Sequence, residues 1–181
     1  MSAPIFDIFI VVEKCVFEIL TVIIPVYNAE KWIDECLKSV LIQDFKGNIE
    51  VSLYNDGSTD TTLQLLKVWK IILEKQNISV VIKGHEGPPK GVGFAKNRAV
   101  DNSHGEYLCF LDASWTSKLF DDVMTPDRVD KQFHAAKSNQ NTIVGSCFHR
   151  EPVGSTERFT QWANRLTPDQ LYTQIKYVHQ S

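Results

Sequence analysis

The chain has 181 residues, enough for one domain with a sizeable core and too few for two ordinary ones. An apolar fraction of 43% and a charged fraction of 23% are those of a globular protein and argue against a disordered or membrane-embedded body. A net charge of -3, with no basic run or basic helix face, removes the electrostatic footprint expected of a nucleic-acid binder.

Residues 3–12 are apolar enough to imitate the core of a signal peptide, but no basic residue precedes them. Asp7, Glu13, Lys14 and Glu18 interrupt the first twenty residues, and no stretch reaches the length of a membrane span. Cys15, Cys36, Cys109 and Cys147 lie among apolar neighbours without a CxxC pair, the pattern of buried thiols in a reducing compartment. A cytoplasmic protein is therefore expected. Residues 1–19 form an extension that is a strand, a helix or poorly ordered, ahead of one domain over 20–181.

Residues 20–26 are a short β-branched run ending before Tyr27, which predicts a buried strand. Asn28 is a suitable helix N-cap, and Trp32, Ile33, Cys36, Leu37, Val40 and Leu41 recur at helical spacing after it. Residues 49–54 predict a second strand, Asn55-Asp56-Gly57-Ser58 a turn, and Leu65, Leu66, Trp69, Ile72 and Leu73 a second amphipathic helix. A third strand is predicted over 78–82, then a loop rich in glycine and proline over 84–93, a helix near 94–100 and a fourth strand over 107–111. Farther on, a helix starts near Pro126, a strand covers 142–148, and Pro168 opens a last helix.

Strands that alternate with helices require crossover connections, hence an α/β fold with a mostly parallel sheet and helices on both faces. Ligands of such sheets bind outside the carboxyl ends of the strands. The residues that follow the four strands are Tyr27-Asn28, Asn55-Asp56, Lys83-Gly84-His85 and Asp112, so polar groups collect on one edge. The five histidines have no metal-ligand spacing and read as loop or surface residues. Trp32 and Trp69 read as core, while Trp115 stands beside Asp112. Asn77-Ile78-Ser79 matches a glycosylation sequon but runs into a predicted strand.

Four segments in order resemble the family 2 glycosyltransferases of GT-A fold. They are Ile24-Pro25-Val26-Tyr27-Asn28-Ala29-Glu30, Asn55-Asp56-Gly57-Ser58-Thr59-Asp60, Gly91-Val92-Gly93-Phe94-Ala95-Lys96-Asn97 and Phe110-Leu111-Asp112-Ala113. The resemblance implies a UDP-sugar donor held by Pro25, Tyr27, Asn28, Glu30, Asp56, Lys96, Asn97 and Asp112, with Asp56 on the uracil edge. It also implies Mn2+ or Mg2+ at a DxD motif that begins with Asp112. Within the family, 155–160 and 166–168 are similar to β-1,3-N-acetylglucosaminyltransferase-like sequences, which implies UDP-GlcNAc as donor and inverting transfer to a sugar hydroxyl. Lys96 stands where GxGxxG needs its third glycine, which argues against a nicotinamide site. A nucleotidyltransferase would need a glycine-rich first turn, and Tyr27-Asn28-Ala29-Glu30 is not one.

Two departures from the family pattern stand out. Residues 114–120 separate Asp112-Ala113 from Asp121-Asp122, so the DxD motif reads as split by seven residues and Asp121 as the second metal ligand. No segment before Ser181 matches the family's general base or the region that shapes the acceptor site. The catalytic base is thus unassigned, the domain is expected to lack its C-terminal part, and a non-catalytic nucleotide-sugar-binding or interaction module is the alternative to an active transferase.

Overall fold

The computed structural model describes residues 9–11, 18–113, 123–138, 143–145, 161–162 and 164–167. The chain divides into two compact units, Met1–Ser146 and Cys147–Ser181. In the second, the backbone N–H of Arg165 donates to the Trp162 carbonyl at 3.2 Å. The sheet and its helices belong to the first.

Its described elements are β1 (Phe9–Val11), β2 (Ile19–Val26), α1 (Ile33–Leu41), β3 (Asn48–Asp56), α2 (Thr62–Glu74), β4 (Ser79–His85), α3 (Val92–Asp101), β5 (Tyr107–Phe110) and α4 (Arg128–Ser138). The sheet order is β1-β5-β2-β3-β4. The last four strands are mutually parallel, and β1 joins the β5 edge antiparallel. From β2 the chain steps outward through β3 to β4, then returns across to place β5 on the other side of β2. The reversal creates a switch point between β2 and β5, where α/β sheets open a crevice for ligands.

Alternation along β2 explains why both faces are covered. Leu20, Val22, Ile24 and Val26 enter a large core with Ile33, Leu37 and Val40 of α1, Leu66, Trp69 and Leu73 of α2, and Val129 and Phe133 of α4. Ile23 points the other way, into a smaller cluster with Tyr54, Leu108 and the α3 residues Ala95 and Ala99. Those alanines, one helical turn apart, bring α3 close enough for the Ser52 hydroxyl to donate to the Ala99 carbonyl at 2.7 Å. Burying each large aliphatic side chain contributes about 1.5–3 kcal/mol, so the two-sided pattern of β2 is a strong determinant of the layer order.

Several expectations are revised. Asn28 does not cap α1, which begins five residues later, after a turn in which the Ala29 carbonyl accepts Trp32 and Ile33 N–H at 2.9 Å. Trp32 and Leu41 are half-buried and Ile72 is exposed. The third strand extends through Lys83-Gly84-His85, because β3 offers a parallel partner as far as Asp56↔His85. Phe9–Val11 supplies a strand that the sequence left open. Only 143–145 of the strand predicted over 142–148 are described, and the helix at Pro168 lies outside the described residues, as do Cys15, Cys147, His149, His179 and Trp115.

Candidate functional site

Two turns at the carboxyl ends of β2 and β3 are sewn together by side chains. Asn28 adopts φ 47°, a left-handed conformation that asparagine tolerates. Its backbone N–H donates to Ser58 Oγ at 2.9 Å, and its Oδ1 accepts Thr59 N–H at 2.8 Å. Ala29 N–H donates to Thr62 Oγ1 at 2.8 Å, and Glu30 Oε2 accepts the Thr61 hydroxyl at 2.9 Å and its N–H at 3.2 Å. Asn28 and Glu30 therefore spend their acceptors on the neighbouring turn. Pro25 is buried within β2 opposite Tyr54, and Tyr27 is half-buried at the strand end.

Asp56, the last residue of β3, is only 2% exposed. Its Oδ2 accepts Gly91 N–H at 2.8 Å and Lys90 N–H at 3.0 Å, and its Oδ1 lies 3.1 Å from the same Lys90 nitrogen. One carboxylate thus folds the loop over 86–91 back onto the sheet and fixes Gly91, the residue that precedes α3. Gly91 at φ 100° and Gly57 at φ 75° occupy backbone conformations that side chains disfavour. At Gly57 a Cβ would also stand 2.2 Å from the Gly87 carbonyl oxygen.

On the other side of β2, the chain leaves β5 through Leu111 and reaches Asp112, which is 4% exposed. Ala113 beyond it bridges in parallel to Val26. Lys96 of α3 donates from Nζ to Asp112 Oδ2 at 2.8 Å, and the same nitrogen lies 2.7 Å from Oδ1. Oδ1 is buried and has no partner other than this ammonium among the described residues. Asp56 and Asp112 are accordingly joined through a single helix: one holds the residue before α3, the other a lysine five positions on, about 7.5 Å along the axis. Asn97, next on α3, is exposed. Asp121 lies outside the described residues, among which no group of three acidic, histidine or cysteine side chains could hold a metal.

Sequence reasoning missed the surroundings of Asp56. His85 is not a surface histidine: its side chain is 17% exposed, with Nδ1 3.7 Å from Asp56 Oδ1 and 3.4 Å from the Tyr54 hydroxyl. Phe94 completes an aromatic group with Tyr54 and His85, and Lys90 Nζ lies 4.8 Å from its ring centre. No local signal marked it: the register of β4 against β3 is what puts His85 beside Asp56. A second polar cluster marks the opposite end of the sheet, where buried Glu50 accepts the Thr21 hydroxyl at 2.9 Å and His104 N–H at 2.8 Å. It joins strand starts and lies away from the switch point.

Residues 21–180 match the sequence profile described as Glycosyl transferase family 2. The chain belongs to this family. An uncharacterised glycosyltransferase of Rickettsia conorii is 34% identical over 131 residues, covering 72% of this chain and 19% of the relative. The poly(ribitol-phosphate) beta-glucosyltransferase of Bacillus spizizenii is 31% identical over 126 residues, covering 69% and 18%. This family 2 chain thus spans about a fifth of the length of those relatives. Among solved structures, S. aureus TarS 1-349 in complex with UDP is similar with a TM-score of 0.54 and 28% identity, over 66% of this chain and 32% of that one. The same protein in complex with UDP-GlcNAc gives 0.53 and 25%, over 67% and 31%. The glycosyltransferase domain therefore has the GT-A fold, and among its described residues no helix is long and apolar enough to cross a membrane.

Proposed function

We propose that this domain binds the UDP moiety of a sugar nucleotide at the β2/β5 switch point, with a divalent cation, and presents the sugar for inverting transfer to a carbohydrate hydroxyl. The observation that carries the reading is the convergence of Asp56 and the Lys96–Asp112 pair on the first half of α3. UDP-GlcNAc is the donor proposed, supported by the resemblance carried by 155–160 and 166–168 and by the relative solved with that compound.

The residues have separable tasks. The Asp56 carboxylate, which holds the Lys90 and Gly91 amides in the ligand-free chain, is the proposed partner for the N–H edge of a base, with aromatic surface from His85 beside it and from Tyr54 and Phe94 beyond. The N-terminus of α3, held beside the end of β3 by the bond from Gly91 to Asp56, is the proposed phosphate position, since a helix dipole favours an anion there. Lys96 adds a positive charge for the same group. Asp112 fits a hard divalent cation, since carboxylate oxygens are the donors that Mg2+ or Mn2+ takes and its buried Oδ1 has no partner but the Lys96 ammonium among the described residues. Asp121 is the proposed second ligand. When bound, the cation would neutralise the charge of the departing diphosphate. Asn28 and Glu30 act in this scheme by holding the two turns in register, and the sequence provides no assigned general base.

A non-catalytic nucleotide-binding module is the second reading, favoured by Asp112 being already neutralised by Lys96. Calorimetric titration with UDP and UDP-GlcNAc, with and without Mn2+, followed by a donor-hydrolysis assay, separates the two. Metal-dependent binding that weakens roughly 10- to 150-fold in Asp112→Ala, the equivalent of about 1.5–3 kcal/mol for a contact to a charged group, is expected. Hydrolysis lost in the same variant marks a transferase, binding without turnover marks the module, and a folded chain that ignores UDP overturns both.

A further inference from the structure

We infer that the Lys96 ammonium is an exchangeable internal counter-ion, which holds the cation position of Asp112 in the ligand-free chain and leaves it when a divalent cation binds. The inference rests on the proposal that such a cation accompanies the nucleotide. Lys96 Nζ is 2.7 Å from one carboxylate oxygen and 2.8 Å from the other, so it stands between them, where a chelated ion would also stand. Two cations cannot share that position, because like charges at such separation repel strongly in a poorly hydrated site.

Three further features favour exchange over a fixed structural pair. Asp112 has a side chain only 4% exposed, between Leu111 and Ala113, which are also buried, so its charge needs a companion at all times. Oδ1 is buried, lies 2.7 Å from the ammonium and has no other partner among the described residues, so Lys96 is the one group that a metal must displace. The Lys96 side chain is 25% exposed, and α3 packs on the sheet through Ala95 and Ala99, so the ammonium can swing away without unpacking the helix. Once displaced, it remains beside the first turn of α3, where the diphosphate is proposed to sit. Metal and diphosphate then reinforce each other: the metal frees the lysine and the phosphates receive it. In the ligand-free chain, the exchange scales apparent metal affinity down to the fraction of chains in which the ion pair is open.

The test measures Mn2+ alone, by the loss of its free-ion electron paramagnetic resonance signal on adding the full chain, and then repeats the titration with UDP present. Lys96→Met is expected to bind Mn2+ about tenfold more tightly than the original chain, and UDP should raise Mn2+ affinity less in this variant than in the original. Lys96→Arg, whose planar guanidinium grips both carboxylate oxygens, should bind Mn2+ more weakly than the original and stands in if Lys96→Met fails to fold. Asp112→Asn should leave the free-ion signal undiminished in every background. Equal or weaker Mn2+ binding by Lys96→Met, equal or tighter binding by Lys96→Arg, or no Mn2+ binding by any form overturns the exchange. If Lys96→Met tightens Mn2+ while calorimetry shows no UDP binding, the exchange stands and the nucleotide reading falls; UDP binding with unchanged Mn2+ affinity gives the reverse.

Discussion

Asp56 and Gly91 are joined by a 2.8 Å hydrogen bond from the glycine amide to the carboxylate, a contact that spans 35 residues of chain and sets where α3 begins. Because Lys90 N–H donates to the same group, replacing Asp56 by alanine strips two amides, in part-buried hydrogen bonds, of a charged acceptor. Loss of about 1.5–3 kcal/mol per charge-assisted contact is the upper scale, reduced where water can enter the exposed loop. The expected outcome is faster hydrogen exchange at Lys90 and Gly91 with Ala99 unaffected. Unchanged protection of those two amides would show that the loop is held by other means.

Glycine is required at position 57 for two reasons and at 91 for one. Alanine at Gly57 must adopt φ 75° and also place its Cβ 2.2 Å from the Gly87 carbonyl oxygen, whereas nothing lies within 4 Å of a Cβ at Gly91. Backbone strain of about 1–3 kcal/mol applies to both. Urea unfolding should therefore rank Gly57→Ala below Gly91→Ala in stability, and the opposite order would contradict the turn geometry.

Gln43 ties the end of α1 to the start of α4. Its Nε2 donates to the Ser39 carbonyl at 2.8 Å and to the Thr125 carbonyl at 2.9 Å, while its Oε1 accepts Val129 N–H at 3.0 Å. Gln43→Ala should cost about 1–3 kcal/mol in urea unfolding. Gln43→Glu should recover little, since the carboxylate keeps the acceptor and loses both donors. Full stability of the glutamate variant would mean that the two carbonyls find water as easily.

Asp127, before α4, supplies the pH prediction. A hydrogen bond from Lys131, followed by one from the Thr125 hydroxyl, holds its carboxyl below the usual value of 3.8. A depressed folded value contributes stability that is present above the unfolded value and disappears as pH falls through the folded one. Carbon NMR titration should place the Asp127 midpoint below 3.8, with the start of α4 loosening over the same range. A midpoint at or above that value in the folded chain would remove the effect.

The strands and the inner faces of α1 and α2 were legible because apolar period alone decides them: Ile33, Cys36, Leu37 and Val40 are all buried, as are Leu66, Trp69 and Leu73. Asp56 and Asp112 were legible as polar groups terminating apolar runs. What period cannot show is which acceptor a polar turn residue will choose. Asn28 looked like a cap on local grounds, but the turn after β3 lies alongside, and Thr59 takes its oxygen. His85 looked like a loop residue because its apolar run ends at Ile82; pairing with Asp56 is a partner effect that only the neighbouring strand supplies. Lys96 was legible as a positive charge near phosphate, whereas its bond to Asp112, sixteen residues later, depends on how closely α3 lies against the sheet.

The short antiparallel strand Phe9–Val11 gives the β5 margin a finished border. Without it, the outer row of backbone donors and acceptors on Tyr107–Phe110 would be a template for strands of other molecules. The three-residue β1 replaces that longer open edge with a short one, the kind that limits strand pairing between molecules, and it does so on the strand that leads directly into Asp112.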